Sequence, residues 1–246
     1  MIVYKLAWLY PDLLELYGDT GNITLLRRRA AEAGIDLQVD QFTVGDPAKL
    51  DDYDFIFLGG GSDREQQIFY KDLMARKQAF VDAIESDVVT VLICGGYQLF
   101  GEYYRDLAGN QIDGMGIFDY YTQGAPPRTI GYLVTQAEVD GENLTLAGFE
   151  NHSGLTYNVS SPLASVQHGT GNNRDDGHEG VTYRNLIGTY MHGPLLARNP
   201  RLADALIRRM ARRRGDEIVL PERSSDFGER AQAQVMREFG LGGEAS

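Results

Sequence analysis

The chain has 246 residues, of which 43% are hydrophobic and 24% are charged, and its formal net charge is -12. This composition excludes a disordered chain and is typical of one globular domain with an appendage. The acidic excess disfavours binding to nucleic acid or to an anionic membrane surface. Its single cysteine excludes a disulfide framework and a zinc site built from several cysteines. With no signal peptide and no apolar stretch of the ~20 residues that span a membrane, we expect a soluble cytoplasmic protein without a metal site.

The first hundred residues alternate strand-like and helix-like segments. Strands are predicted over 2–9, 36–44, 54–58 and 88–93, and helices over 20–33 and 63–85. Several of these strands are apolar on both faces, which is typical of a parallel sheet covered by helices on both sides. The sequence therefore predicts an α/β fold with a flavodoxin-like, mostly parallel sheet.

The segment 112–192 contains short alternating runs separated by turn signals. It predicts β-hairpins added to the edge of the parallel sheet, with an exposed loop over 169–180. A helix is predicted from Pro200 to about Arg214, ended by Gly215. We divide the chain into a main domain, residues 1–205, and a helical extension with a frayed tail, residues 206–246.

Two unusual segments follow apolar strands, the glycine triplet 59–61 and the turn that begins at Cys94. Both lie where ligands bind to parallel sheets, at the carboxyl ends of the strands. A cysteine between a strand and a helix predicts a nucleophile on a sharp turn, with the N–H groups of Gly95 and Gly96 left open for an oxyanion. The alternative is a buried, inert cysteine.

A thiol nucleophile needs a base, and the chain has 4 histidines. His168 and His178 flank a polar loop and are expected in solvent. His152 lies among hydrogen-bonding residues, which favours a structural role. His192 follows an apolar strand and falls at the carboxyl ends of the strands, so we take it as the base and keep His152 as the alternative.

Nucleotide binding by this chain is not expected. The glycine triplet lacks the P-loop pattern, although its N–H groups could face an anion or an oxyanion. Arg128, after Pro126 and Pro127, is a candidate for binding a substrate carboxylate, with an ordinary surface arginine as the alternative.

Three ordered segments resemble the cobyric-acid-synthase type of class I glutamine amidotransferase domain: Cys94–Gly101, Gly148–Gly154 and Gly188–Gly193. The resemblance extends from the amino terminus to about residue 205. The opening segment Leu9–Ile23 is similar to that of amidotransferase subunits that serve lipid II amidation in peptidoglycan synthesis.

The resemblance implies a glutaminase. Cys94 would attack the side-chain amide of glutamine and form a thioester, and His192 would transfer the protons. The substrate-binding residues that it implies are Arg128 for the α-carboxylate, Gly60 and Gly95 for the oxyanion, and Gln98 for the pocket wall.

The resemblance also implies a partner. A Mur-ligase-like synthetase subunit would use ATP and Mg²⁺ to activate the α-carboxyl of D-glutamate in the lipid II stem peptide, and ammonia from this chain would amidate it. No cofactor is expected on this chain, because it has no P-loop and no synthetase segment ahead of the motifs. The partner's lipid-linked substrate would bring the complex to the inner face of the membrane.

One feature departs from the family pattern: Pro194 stands where many class I enzymes carry a glutamate that orients the histidine. We expect the partner to supply this acid, with a Cys–His dyad that needs no third acid as the alternative and Glu150 and Asp204 as internal candidates. Two other functions stay open, namely another cysteine hydrolase on the same fold and a catalytically silent scaffold subunit.

Overall fold

The computed structural model describes residues 2–15, 18–61, 63–223 and 227–241. The helices are α1 (Thr20–Glu32), α2 (Asp63–Ala75), α3 (Lys77–Glu85), α4 (Gly95–Gln98), α5 (Leu195–Arg198), α6 (Pro200–Arg214) and α7 (Phe227–Glu238). The strands are β1 (Ile2–Leu9), β2 (Ile35–Phe42), β3 (Phe55–Leu58), β4 (Val89–Ile93), β5 (Tyr103–Arg105), β6 (Gln111–Asp113), β7 (Tyr121–Val139), β8 (Glu142–Tyr157), β9 (Ala164–His168), β10 (His178–Glu179), β11 (Val181–Tyr183) and β12 (Leu186–Thr189).

The first sheet has the order β11-β12-β4-β3-β1-β2 and is parallel except for β11. Alternate residues of β1 enter two different cores: Leu6 and Trp8 pack with α1 and α6, whereas Ala7 and Leu9 pack with α2 and α3. This period-2 burial is expected of a strand that is covered on both faces. The predicted flavodoxin-like sheet with helices on both sides is confirmed.

The hairpins form a second sheet of their own. Its order is β10-β9-β7-β5-β6, with β8 paired to β7. The prediction that the hairpins extend the parallel sheet is therefore wrong for all of them except β11–β12. The β7–β8 hairpin is long enough to present its own apolar face, and Leu133, Leu144 and Leu146 of that face pack into the core shared with α6.

Two local predictions need correction. The helix predicted over 63–85 is two helices, α2 and α3, which meet at Arg76, where the guanidinium binds Asp72 and the hydroxyl of Tyr10. The loop predicted to be exposed has a buried part, because the Asn172 side chain bonds both the N–H and the carbonyl of Gly180. Buried polar groups of this kind are held in place by such paired hydrogen bonds.

Helix α6 crosses the domain boundary predicted at residue 205. Leu202, Leu206 and Met210 all belong to the same core, so residues on both sides of the predicted boundary pack together. The helix ends at Gly215, which has the left-handed conformation expected of a helix terminator (φ 71°). The extension after it includes α7, and the last five residues of the predicted frayed tail, 242–246, lie outside the described residues. No helix in the described ranges has the length and apolar character needed to cross a membrane.

Candidate active site

Cys94 lies in the sharp turn between β4 and α4. Its backbone has φ 50° and ψ -107°, a strained conformation for a residue with a side chain. The turn is held by the Cys94 N–H, which donates to Thr189 O at 2.8 Å, and by the Cys94 carbonyl, which accepts from Gln98 N at 2.9 Å. The predicted elbow is thus present, and the thiol is half-buried. Because α4 is a single turn, its dipole is small and any activation of the thiol depends on its immediate neighbours.

His192 lies beside Cys94 at the carboxyl edge, by which we mean the edge of the first sheet where β3, β4 and β12 end. Its backbone pairs with Phe149 of β8 through two hydrogen bonds of 2.9 and 3.1 Å. A methyl group built on Gly60 would lie 2.7 Å from His192 Cε1 and 3.3 Å from Cys94 Cβ. Three separate segments therefore converge on one point, and only glycine fits at position 60.

The imidazole of His192 is only 1% exposed. Burial, reinforced by the charges of His152 and Arg128, lowers the pKa of His192 to about 3. Near pH 7 the imidazole is therefore neutral, which is the form with a ring nitrogen free of a proton. The structure brings the predicted nucleophile and the predicted base, in its neutral form, to one place.

The glycine loop, Gly59–Gly61, has a neighbour that the sequence did not indicate. Asp19 is 1% exposed, and its Oδ2 accepts the Gly60 N–H at 3.0 Å. The predicted role of Gly60 as an oxyanion donor therefore conflicts with the hydrogen bond present in this structure. Burial raises the pKa of Asp19 to about 6, with a further contribution from the charge of Glu15.

Gln66 of α2 covers the other predicted oxyanion donor, Gly95. Its amide nitrogen would collide with any side chain at position 95, and in the described part of the chain its Oε1 is buried without a hydrogen-bond partner. Sequence reasoning missed Gln66, because a glutamine in a polar helix resembles any solvent-facing residue.

Strand β8 passes the site with side chains directed alternately to its two faces. Glu150 and His152 are buried, whereas Asn151 and Ser153 are half-buried and contact Arg128. The register of β7 against β8 shifts between Gly124 and Thr129, so Arg128 lies in an irregular part of the strand. Such bulges redirect side chains beside active sites.

Arg128 is exposed, and its guanidinium is held by three hydrogen bonds: to Asn151 Oδ1 at 2.5 Å, to Ser153 Oγ at 3.1 Å and to Asn151 O at 3.0 Å. Its charge contributes, after burial and the charge of His152, to the lowered pKa of His192. A cation held in one orientation fits the predicted carboxylate-binding role, which stays a prediction.

His152 has the contacts of a structural residue. Its Nδ1 lies 2.7 Å from Gly154 O, its ring stacks on Tyr190 at a centroid distance of 3.8 Å, and its Nε2 is 3.6 Å from Glu150 Oε2. These contacts favour the structural role over the alternative of a catalytic base.

Gln98 is buried, and its amide donates to the hydroxyl of Tyr190 at 3.0 Å. Tyr190 in turn is bonded to Thr156. This contact indicates a supporting position in the pocket wall, and a direct contact with substrate stays a prediction.

Both internal candidates for a third acid are engaged elsewhere. Glu150 accepts the N–H groups of Thr170 and Gly171 at 2.8 and 3.0 Å, and Asp204 forms ion pairs with Arg29 and Arg223. Pro194, at the expected position of the acid, packs against Gly21 of α1. Across the described ranges, no three His, Cys, Asp or Glu side chains cluster in a way that could hold a metal ion.

The fold matches that of known glutaminases. The CTPS glutaminase domain of Trypanosoma brucei, solved with bound acivicin, aligns with a TM-score of 0.57 and 13% identity, covering 90% of this chain and 98% of that one. The chain therefore has the fold of a class I glutamine amidotransferase domain, with Cys94 and His192 together at the carboxyl edge.

The sequence comparisons place the chain more narrowly. Residues 5–200 match the CobB/CobQ-like glutamine amidotransferase domain, and the chain belongs to this family. It is 41% identical over 204 residues to the GatD subunit of lipid II isoglutaminyl synthase (glutamine-hydrolyzing) of Staphylococcus aureus, covering 83% of each chain. The corresponding subunit of Streptococcus pneumoniae is 38% identical over 222 residues, covering 88% of this chain and 84% of that one.

Proposed function

We propose that this chain is the glutamine-hydrolysing subunit of an enzyme that amidates lipid II. The observation that carries the proposal is the convergence of Cys94, Gly60 and a neutral His192 at the carboxyl edge. The names of the two GatD relatives support the lipid II assignment.

In the proposed reaction, Cys94 Sγ attacks the side-chain carbonyl carbon of glutamine while its proton passes to His192. The C–S bond forms, the C–N bond breaks, and the imidazolium returns the proton to the departing nitrogen, which leaves as ammonia. His192 then takes a proton from water, whose oxygen attacks the thioester. Glutamate is released and the thiol is restored, so that no oxidant or metal is consumed.

Burial keeps the imidazole of His192 neutral before attack, so it would act first as a base, and the imidazolium that forms would then donate its proton to the leaving nitrogen. Arg128 would bind the α-carboxylate of glutamine, and the Gly95 N–H would face the oxyanion.

Ammonia would then pass to a Mur-ligase-like partner, which would use ATP and Mg²⁺ to activate the α-carboxyl of D-glutamate in the stem peptide. The partner would also supply the acid that orients His192. This assignment is supported by Pro194 at the usual position of the acid and by the engagement of Glu150 and Asp204 in other contacts.

Labelling with a diazo-ketone analogue of glutamine tests the proposal. The full chain is incubated with the analogue, alone and with the partner, and intact mass is measured, with Cys94→Ala as the control. We expect one adduct, absent from Cys94→Ala and suppressed by excess glutamine. The absence of an adduct under both conditions would exclude a glutaminase, and an adduct insensitive to glutamine would favour another cysteine hydrolase.

A further inference from the structure

Asp19 immediately precedes α1, where an aspartate ordinarily caps its own helix by accepting an N–H of the first turn. Here the side chain makes no such capping bond. Its Oδ2 instead accepts the Gly60 N–H at 3.0 Å, and its Oδ1 accepts from the Asn22 amide at 3.2 Å. The carboxyl is therefore drawn away from its helix and fixed beneath the glycine loop.

This position is unfavourable for a carboxylate. Asp19 is 1% exposed, and a buried carboxylate is costly unless strong hydrogen bonds compensate for its lost hydration. The glycine loop fits closely around it, since a methyl group built on Gly59 would lie 2.8 Å from Asp19 Oδ2. This close fit around a carboxylate whose burial is unfavourable lies next to the Cys94–His192 pair.

The bond to Asp19 directly affects what Gly60 can do in catalysis. A backbone amide has one hydrogen, and the Gly60 hydrogen is directed at Asp19 rather than at an oxyanion on the carbon that Cys94 attacks. Loss of a single oxyanion donor typically lowers kcat by about 100- to 1,000-fold. The state of this one bond can therefore control the rate of the reaction.

We propose that Asp19 is a positioning residue that withholds the Gly60 N–H from the oxyanion, so that rapid glutamine hydrolysis requires this hydrogen bond to be exchanged. The inference rests on the proposed glutaminase function and deepens it. It describes how the site is kept slow until the glycine loop is rearranged.

A path for such a rearrangement is present in the structure. Asn22 bonds Asp19 through its amide, and its Oδ1 accepts the Leu196 N–H at 2.8 Å. Leu196 lies in α5, four residues after His192. A shift of α1 would therefore move Asp19 and the segment that follows His192 together.

The test compares wild type, Asp19→Ala and Asp19→Asn as full chains, each alone and with the synthetase partner. Steady-state kcat for glutamine hydrolysis is the main readout, and the rate of Cys94 alkylation by iodoacetamide, which needs no oxyanion site, is the second. We expect Asp19→Ala to raise kcat of the chain alone about tenfold, because it removes a charged acceptor of the Gly60 hydrogen. Asp19→Asn keeps the shape and a weaker acceptor, so its increase should be smaller, and alkylation should be unchanged in both.

Asp54→Asn is the matched control. Asp54 is equally buried and also accepts a backbone N–H, from Lys5 at 2.9 Å, but it lies at the opposite end of β3. It should show any loss of stability without an increase in kcat. If neither Asp19 variant hydrolyses glutamine faster than the wild type while alkylation of Cys94 is normal, the proposed role of Asp19 is wrong. The proposed glutaminase function is unaffected by that result. If none of the proteins hydrolyses glutamine, with or without the partner, the proposed glutaminase function itself is wrong.

Discussion

The carboxyl edge and the β7–β8 hairpin contribute different parts of the same site. The edge carries Cys94 on a turn that directly follows β4 and His192 on a short segment after β12, so the positions of both residues are set by buried strands. The hairpin carries Arg128 on an irregular stretch of β7, held by polar residues of β8. The predicted nucleophile and base thus lie on the parallel sheet, and the residue predicted to bind the α-carboxylate lies on the added one.

The two central histidines show the same division. His192 and His152 are both buried, yet only the first comes from the carboxyl edge, with its pKa lowered to about 3. The second lies on the hairpin, stacked on Tyr190 and bonded to a backbone carbonyl. Burial alone therefore does not distinguish the two histidines, whereas their positions in the topology do.

The largest effect is expected at the nucleophile. Cys94→Ser in the complex with the partner should reduce glutamine-dependent amidation of lipid II by at least about 1,000-fold, because a hydroxyl is a much weaker nucleophile here than a thiol. Amidation driven by added ammonium should be retained, and a mass assay of the stem peptide measures both. Loss of the ammonium-driven reaction as well would mean that Cys94 is needed for assembly rather than chemistry.

Replacing each of the two histidines in turn by alanine tests the comparison most directly. His192→Ala should slow alkylation of Cys94 at pH 7 by about 10- to 100-fold, because the thiol loses its base. His152→Ala should leave that rate within about twofold, although it removes the stacking partner of Tyr190 and lowers thermal stability. The mass increase of the chain with time in iodoacetamide measures the alkylation rates, and equal slowing by both substitutions would contradict the division of roles.

Arg128→Ala should act on binding and spare the nucleophile. We expect KM for glutamine to rise about 10- to 100-fold, because a charge-assisted contact to the α-carboxylate is lost, while alkylation of Cys94 is unchanged. Arg201→Ala, which removes an exposed arginine paired with Glu142, serves as the control. An unaltered KM in Arg128→Ala would make Arg128 an ordinary surface residue.

A smaller effect is expected at Glu179, which is buried behind the site. It accepts the Tyr190 N–H at 2.8 Å and the Thr189 hydroxyl, and burial raises its pKa from 4.5 to about 7. Between these values the folded state binds more protons than the unfolded state, so stability is present below about pH 4.5 and is lost as pH rises towards 7.

Glu179→Gln should remove this loss. The unfolding free energy of the variant, relative to that of the wild type, should therefore increase by about 2 kcal/mol from pH 5 to pH 8. Urea unfolding of both proteins at the two pH values measures this difference in unfolding free energy. The titrations of Asp19 and His192 cancel in it, because both proteins contain these residues. Glu142→Gln, at an exposed ion pair, should show no such change. A wild-type-like pH dependence in Glu179→Gln would mean that Glu179 is ionised in the folded protein across this range.

The sequence by itself determined the parallel sheet, the cysteine turn and the place of His192 at the carboxyl edge. Strand β1 and helix α6 have almost the predicted bounds, because continuous apolar runs and a Pro–Gly pair of helix signals are local features. The position of His192 followed from topology, since parallel strands end at one edge whatever the details of packing.

Only the tertiary structure decided where the β7–β8 hairpin packs and what the buried polar groups contact. The alternating pattern of the hairpin predicts a pair of strands at the edge of the first sheet. In the structure its apolar face packs instead into the core that contains α6. Asp19 and Gln66 look like ordinary polar residues in the sequence, and the folded chain brings them to the glycine loop and to Gly95. Such contacts join residues far apart in the chain, and no local pattern encodes them because hydrogen bonding depends on the position of the partner as well as on the residue itself.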